Sequence, residues 1–196
     1  MTPVITGRCR EIRAYLWYCV ALFWPGVKVP NFEHPPERHP DIADLTDEQL
    51  QVVLEEGRRH LDRQRQDLER VQTRSATAAT IGLAEIALLS NGGATVFRAG
   101  AFYLFPWLAA FICVFLGVAG AVSLLTTRPT VAAPHVNNIA TYADGNPLYS
   151  AAYSYVQDVD VGDVTLSARV TILRDVALLL VVGALLYAVI WPFVQP

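Results

Sequence analysis

Three apolar blocks, Ala76–Ala94, Ala99–Thr126 and Val176–Val194, constrain this chain more than any other feature. At ~1.5 Å of rise per residue, each reaches roughly 30 Å as a helix, about the thickness of a bilayer core. A helix in a soluble core seldom stays apolar on all sides, because one face normally meets water. Most of the charge lies elsewhere, in Glu33–Arg74 and Asp144–Arg174. With 53% hydrophobic and only 17% charged residues, the chain falls outside the soluble range. The expected fold is an all-α membrane protein: a long cytoplasmic helix continuous with a transmembrane hairpin, plus a C-terminal transmembrane helix.

Residues 1–28 begin with Arg8, Arg10 and Arg13 and continue through Tyr15, Trp17, Tyr18, Phe23 and Trp24. Trp24-Pro25-Gly26-Val27 offers no small-x-small cleavage site, and the apolar run is too short to span alone. The aromatic rings suit the headgroup region, so an interfacial or re-entrant segment is expected, with a helix packed into the bundle as the alternative. Cys19 in this stretch is either an acylation site or a buried inert thiol. Residues 29–45 carry Pro30, Pro35, Pro36 and Pro40 and read as a linker. His34 and His39 sit five apart on it without a fixed geometry, so no metal site is expected there.

Thr46-Asp47-Glu48-Gln49 is a capping box and starts a cytoplasmic helix over 46–75. Its Glu55/Arg59 and Glu56/Arg59 pairs suit a solvated face. Leu50, Leu54, Leu61, Leu68 and Val71 form a stripe interrupted by Gly57 and Gln64. The stripe needs a partner helix, from the same chain or, as an oligomerisation stripe, from a second copy. No proline stops the helix before Leu89, so it changes solvent at Arg74-Ser75 and enters a first span, 76–94. Asn91-Gly92-Gly93 marks a tight connection to a second span, 99–126. Residues 127–173 form a partly helical cytoplasmic region, with Asn146-Pro147 as helix start and Gly162 as a break. A last span, 174–194, ends at Trp191-Pro192. Arg70, Arg74, Arg128, Arg169 and Arg174 flank one side of the spans and only Arg98 the other, which places the long helix and 127–173 in the cytoplasm and the C-terminus outside.

Glu85 falls near the middle of the first span, where an ionised carboxylate costs several kcal/mol unless paired or hydrated. It is the candidate pore or gate residue, and otherwise a protonated packing residue. Ala78 with Gly82, and Gly117 with Ala121, are small-residue pairs that suit helix packing in lipid. Catalytic chemistry is not expected, since Walker, dinucleotide, HExxH and GxSxG signatures are all missing. Asp158-Val-Asp160-Val-Gly162-Asp163 fails as a calcium loop, because Arg169 stands where the closing glutamate belongs. The three cysteines, Cys9, Cys19 and Cys113, have neither metal-ligand nor disulfide spacing. A net charge of −3 without a basic aromatic-interleaved patch excludes nucleic acid. No cofactor and no metal are expected.

The charged helix Leu54–Arg74 running straight into a paired span, with Ser167-Ala-Arg169-Val-Thr-Ile-Leu-Arg174-Asp-Val-Ala177 before the last span, resembles small membrane proteins of bacterial conflict systems. The likeness is to SLATT-type effectors paired with nucleotide second-messenger synthases, and it covers about half the chain. The N-terminal aromatic segment and the single final span depart from that pattern. The resemblance implies a homo-oligomeric effector of the bacterial inner membrane in anti-phage defence, with Glu85 and the small faces lining or closing a pore. A sensor or second-messenger partner would act on it. Two other readings are a non-catalytic scaffold or exclusion factor that binds another membrane protein through Asp47–Arg74, and a transporter subunit.

Overall fold

A computed structural model describes residues 12, 13, 15–17, 19, 20, 45–127 and 146–194, and these are almost all helical. The proline-rich stretch up to residue 44, with His34 and His39, and residues 128–145 lie outside the described residues. Three long helices follow one another: α1 (Asp47–Ala99, 53 residues), α2 (Ala101–Thr126, 26 residues) and α3 (Pro147–Val194, 48 residues). Each contains a stretch long and apolar enough to cross a membrane.

The chain divides into two compact units, both drawing on α1 and α3. The span unit comprises Met1–Pro30, Val71–Thr127 and Arg169–Pro196; the charged unit comprises Asn31–Arg70 and Arg128–Ala168.

In the charged unit, α1 starts as its capping box requires. The Thr46 N–H donates to Gln49 Oε1 at 3.0 Å, and the Gln49 N–H reaches Thr46 Oγ1 at 3.5 Å. Asn146 caps α3 by accepting from the Leu148 N–H at 3.0 Å, ahead of Pro147 at the first helical position. The two helix starts are tied together, since Asn146 Nδ2 donates to Asp47 Oδ1 at 2.8 Å.

The leucine stripe finds its partner within the chain. Leu50, Leu61, Leu68 and Val71 are buried and Leu54 is half-buried. Beside the stripe, Gly57 and Gln64 of α1 meet Tyr155 and Gly162 of α3. Each buried leucine contributes roughly 1.5–3 kcal/mol. The stripe is therefore covered within the chain, the first of the two partners its sequence allows.

Gly162 does not break α3, which runs unbroken to Val194. A Cβ at Gly162 would collide with the Gln64 side chain. That side chain is 3% exposed and donates at 2.8 Å both to the Val159 carbonyl and to Asp163 Oδ1. The glycine opens the notch that the glutamine fills.

In the span unit, Asn91-Gly92-Gly93 does not turn. Helix α1 continues to Ala99 and reverses at Gly100, whose φ of 111° suits only glycine. The two inner glycines serve packing instead: a Cβ at Gly92 would stand 3.1 Å from the Tyr187 hydroxyl, and one at Gly93 3.2 Å from the Trp107 ring. Their helix-propensity cost, about 1 kcal/mol each, does not outweigh those contacts.

Hydroxyls along the apolar part of α1 are satisfied by their own helix. Ser75, Thr77, Thr80 and Ser90 donate to the carbonyls of Val71, Thr73, Ala76 and Ile86 at 2.7–3.1 Å. The core joins Leu89 of α1, Ala110, Val114, Ala121 and Leu124 of α2, and Ile172, Val176 and Leu180 of α3. The described N-terminal residues are helical and join this core through Tyr15 and Cys19. The Tyr15 hydroxyl donates to the Leu116 carbonyl at 2.7 Å. These residues fit the packed alternative, and at 7% exposure Cys19 presents no accessible thiol for acylation.

Candidate functional site

Small residues bring the spans close together. A Cβ placed on either Gly82 of α1 or Gly117 of α2 would come within 2.9 Å of Leu180 Cδ2, and one on Gly82 would also strike Val118. A Cβ on Gly183 of α3 would collide with Val114, and one on Gly120 with the Tyr15 hydroxyl. Ala121 is fully buried and Ala78 half-buried. Of the four packing candidates, Gly82 and Gly117 thus meet on one side chain of α3, and Ala121 lies in the same core. Leu180 packs against both glycines, a close approach that small residues permit.

Glu85 points elsewhere. It lines an open groove of about 820 Å³ between α1 and α3, together with Arg74, Thr77, Ala78 and Ile81 of α1. The α3 wall runs from Val170, Leu173 and Arg174 through Ala177, Leu180 and Val181 to Ala184, Leu185 and Ala188. Alanines on both helices leave the space open, and the lining is apolar apart from Thr77, the two arginines and the glutamate. Eleven residues separate Arg74 from Glu85, about 16 Å along a helix. Glu85 Oε2 is buried and has no hydrogen-bond partner among the described residues.

Arg169, one of the arginines that flank the spans in the sequence, is 2% exposed and has a packing role that its flanking position alone did not reveal. Its guanidinium donates to the Leu124 carbonyl at 3.2 Å and the Thr127 carbonyl at 2.6 Å, satisfying the C-terminal turn of α2. One signal was available: Arg169, Ile172, Val176 and Leu180 share the face of α3 that is buried.

His60 Nε2 and Asp163 Oδ1 approach to 3.3 Å in the charged unit, beside Gln64. No group of three or more His, Cys, Asp or Glu side chains positioned to hold a metal ion occurs among the described residues. No protein-family model matches the chain, and comparisons with curated proteins and with solved structures find no match either.

Proposed function

We propose that this chain is a non-catalytic, multi-pass effector of the bacterial inner membrane that acts as a homo-oligomer and depolarises the membrane, as the resemblance to SLATT-type effectors implies. One observation carries the reading. Glu85 presents a buried carboxyl oxygen, without a partner among the described residues, to a groove on the outside of the span unit. In hydrocarbon such a group costs several kcal/mol until another polar group or water reaches it.

The interior of the span unit is filled by Val114, Val176 and Leu180. On this reading the conducting path is therefore built between copies, along the face that carries Glu85. The exposed apolar side chains of the same unit, among them Phe105, Ile112, Phe115, Leu178 and Val189, suit contact with lipid or with neighbouring copies. The arginine distribution supports a cytoplasmic long helix and an external C-terminus.

The test is inner-membrane potential, read with a potential-sensitive dye in bacteria induced to express wild type or Glu85→Ala at matched membrane levels. Depolarisation by wild type and its loss in Glu85→Ala are expected. A membrane that stays polarised under wild-type expression, with and without phage challenge, would move the chain to the scaffold or exclusion-factor reading. Its binding surface would then be the exposed charged face of α1 around Arg58, Arg59 and Arg63.

A further inference from the structure

We infer that the path at Glu85 passes monovalent metal cations in preference to anions, and that Glu85 sets this preference; the inference rests on the depolarising reading above. Within the apolar stretches of the three long helices this carboxyl group stands alone. Glu85 is the sole Asp, Glu, Lys, Arg or His between Arg74 and Arg98 of α1; α2 has none, and α3 has none beyond Asp175. The groove that Glu85 lines is walled by apolar side chains, among them Ala78, Ile81, Ala177, Val181 and Ala184. Thr77, which also lines it, donates its hydroxyl to the Thr73 carbonyl at 3.1 Å. Glu85 Oε2 is buried and meets no hydrogen-bond partner among the described residues, which leaves its accepting capacity to whatever enters the path.

A hydrated carboxyl group is an anion at neutral pH, so a path wet enough to conduct carries one negative charge from each copy at one level. A ring of Glu side chains attracts cations and repels anions, and apolar walls of low dielectric focus its field on the passing ion. The arginines do not reverse that sign. Arg74 lies about 16 Å and Arg98 about 20 Å from Glu85 along α1. Both are exposed, and both stand beyond the ~8 Å over which exposed charges act in physiological salt. Arg174, also in the groove lining, has the Asp175 carboxylate within 3.4 Å and is 63% exposed. Protons are the poorer candidate for the charge carrier, because a relay hands them along a chain of Asp, Glu or His, and the ionisable groups next to Glu85 on α1 are two arginines.

The reversal potential of the full-length protein, reconstituted in planar lipid bilayers under a KCl gradient, tests the inference. Potassium ions should permeate wild type about tenfold more readily than chloride. Glu85→Asp should keep that preference. Glu85→Gln, which retains a polar group where Glu85→Ala retains none, should still conduct but without preference. Replacing potassium by N-methylglucamine should remove most of the cation current. Where Glu85→Gln passes no current, Ile81→Lys takes its place: it leaves Glu85 intact, sets a positive charge one turn away in the same groove, and should cancel the preference. A wild-type current without preference, or one that prefers chloride, would overturn the inference. So would a cation preference that survives Glu85→Gln or Ile81→Lys, or a current undiminished by N-methylglucamine, which would assign conduction to protons. No wild-type current at all would overturn the depolarising reading and the inference with it, a result distinct from a current of the wrong selectivity.

Discussion

The charged unit and the span unit are built from the same two helices, yet they are held together by different means. In both, α1 and α3 residues that touch lie about 99 apart in sequence: Asn146 with Asp47 and Asp163 with Gln64 in the charged unit, Tyr187 with Leu88 in the span unit. The charged unit buries a leucine stripe and fills its glycine notch with an amide, Gln64, while its outer face carries ion pairs such as Glu55 with Arg59 at 2.7 Å. The span unit fills its notches with Leu180, Val118 and Tyr15 and exposes Phe, Leu and Val on its outside. Water explains the first pattern, because it drives leucines inward and solvates charge. The second pattern suits lipid, where apolar tails supply no such drive and close backbone approach takes its place.

The comparison breaks most sharply at Arg169, the one guanidinium buried in the span unit among the described residues. Arg169→Ala removes charge-assisted bonds to two carbonyls and should destabilise the protein by about 4 kcal/mol, measured by denaturant unfolding in detergent. A loss under about 1 kcal/mol would mean that water or lipid headgroups cap α2 without it. Leu61→Ala tests the water-driven side. A cavity there should cost about 3 kcal/mol, against no more than about 0.5 kcal/mol for Val52→Ala on the exposed face.

Gly162→Ala sharpens the contrast, since the new methyl meets Gln64 and should cost about 2 kcal/mol. Adding Gln64→Ala should recover much of that loss, and additivity in the double variant would deny the contact. The smallest effect belongs to the capping box: Thr46→Ala should cost about 1 kcal/mol, and no change would show that the α1 start frays.

The element types and the two helix starts were legible in the sequence because local chemistry dictates them. Thr46 and Asn146 cap by side chain, and the absence of proline lets α1 continue through Arg74-Ser75. The turn was misplaced because Asn91-Gly92-Gly93 has turn composition, while its glycines answer to Trp107 and Tyr187, residues distant in sequence. For the same reason Gly162 looked like a break: the glutamine that needs it lies on another helix. Glu85 stood out as a charge within a span, but which face it occupies depends on the register of α1 with α3, and the α1 sequence alone does not encode that. The stripe on α1 required a partner without naming one, since α3 pairs with it through Tyr155, Val159 and Gly162, a face with no leucine periodicity of its own.

The central claim is that Glu85 lies inside the bilayer on a face that copies line together. The most direct test places a cysteine there. Glu85→Cys and Leu83→Cys, in a background with Cys9, Cys19 and Cys113 replaced by Ala, would be treated in cells with a charged, water-soluble thiol reagent. The account predicts that position 85 reacts and position 83, exposed on α1 away from the groove, does not. Equal labelling of both positions, or protection of both in a strain whose membrane is depolarised by the wild-type protein, would contradict it.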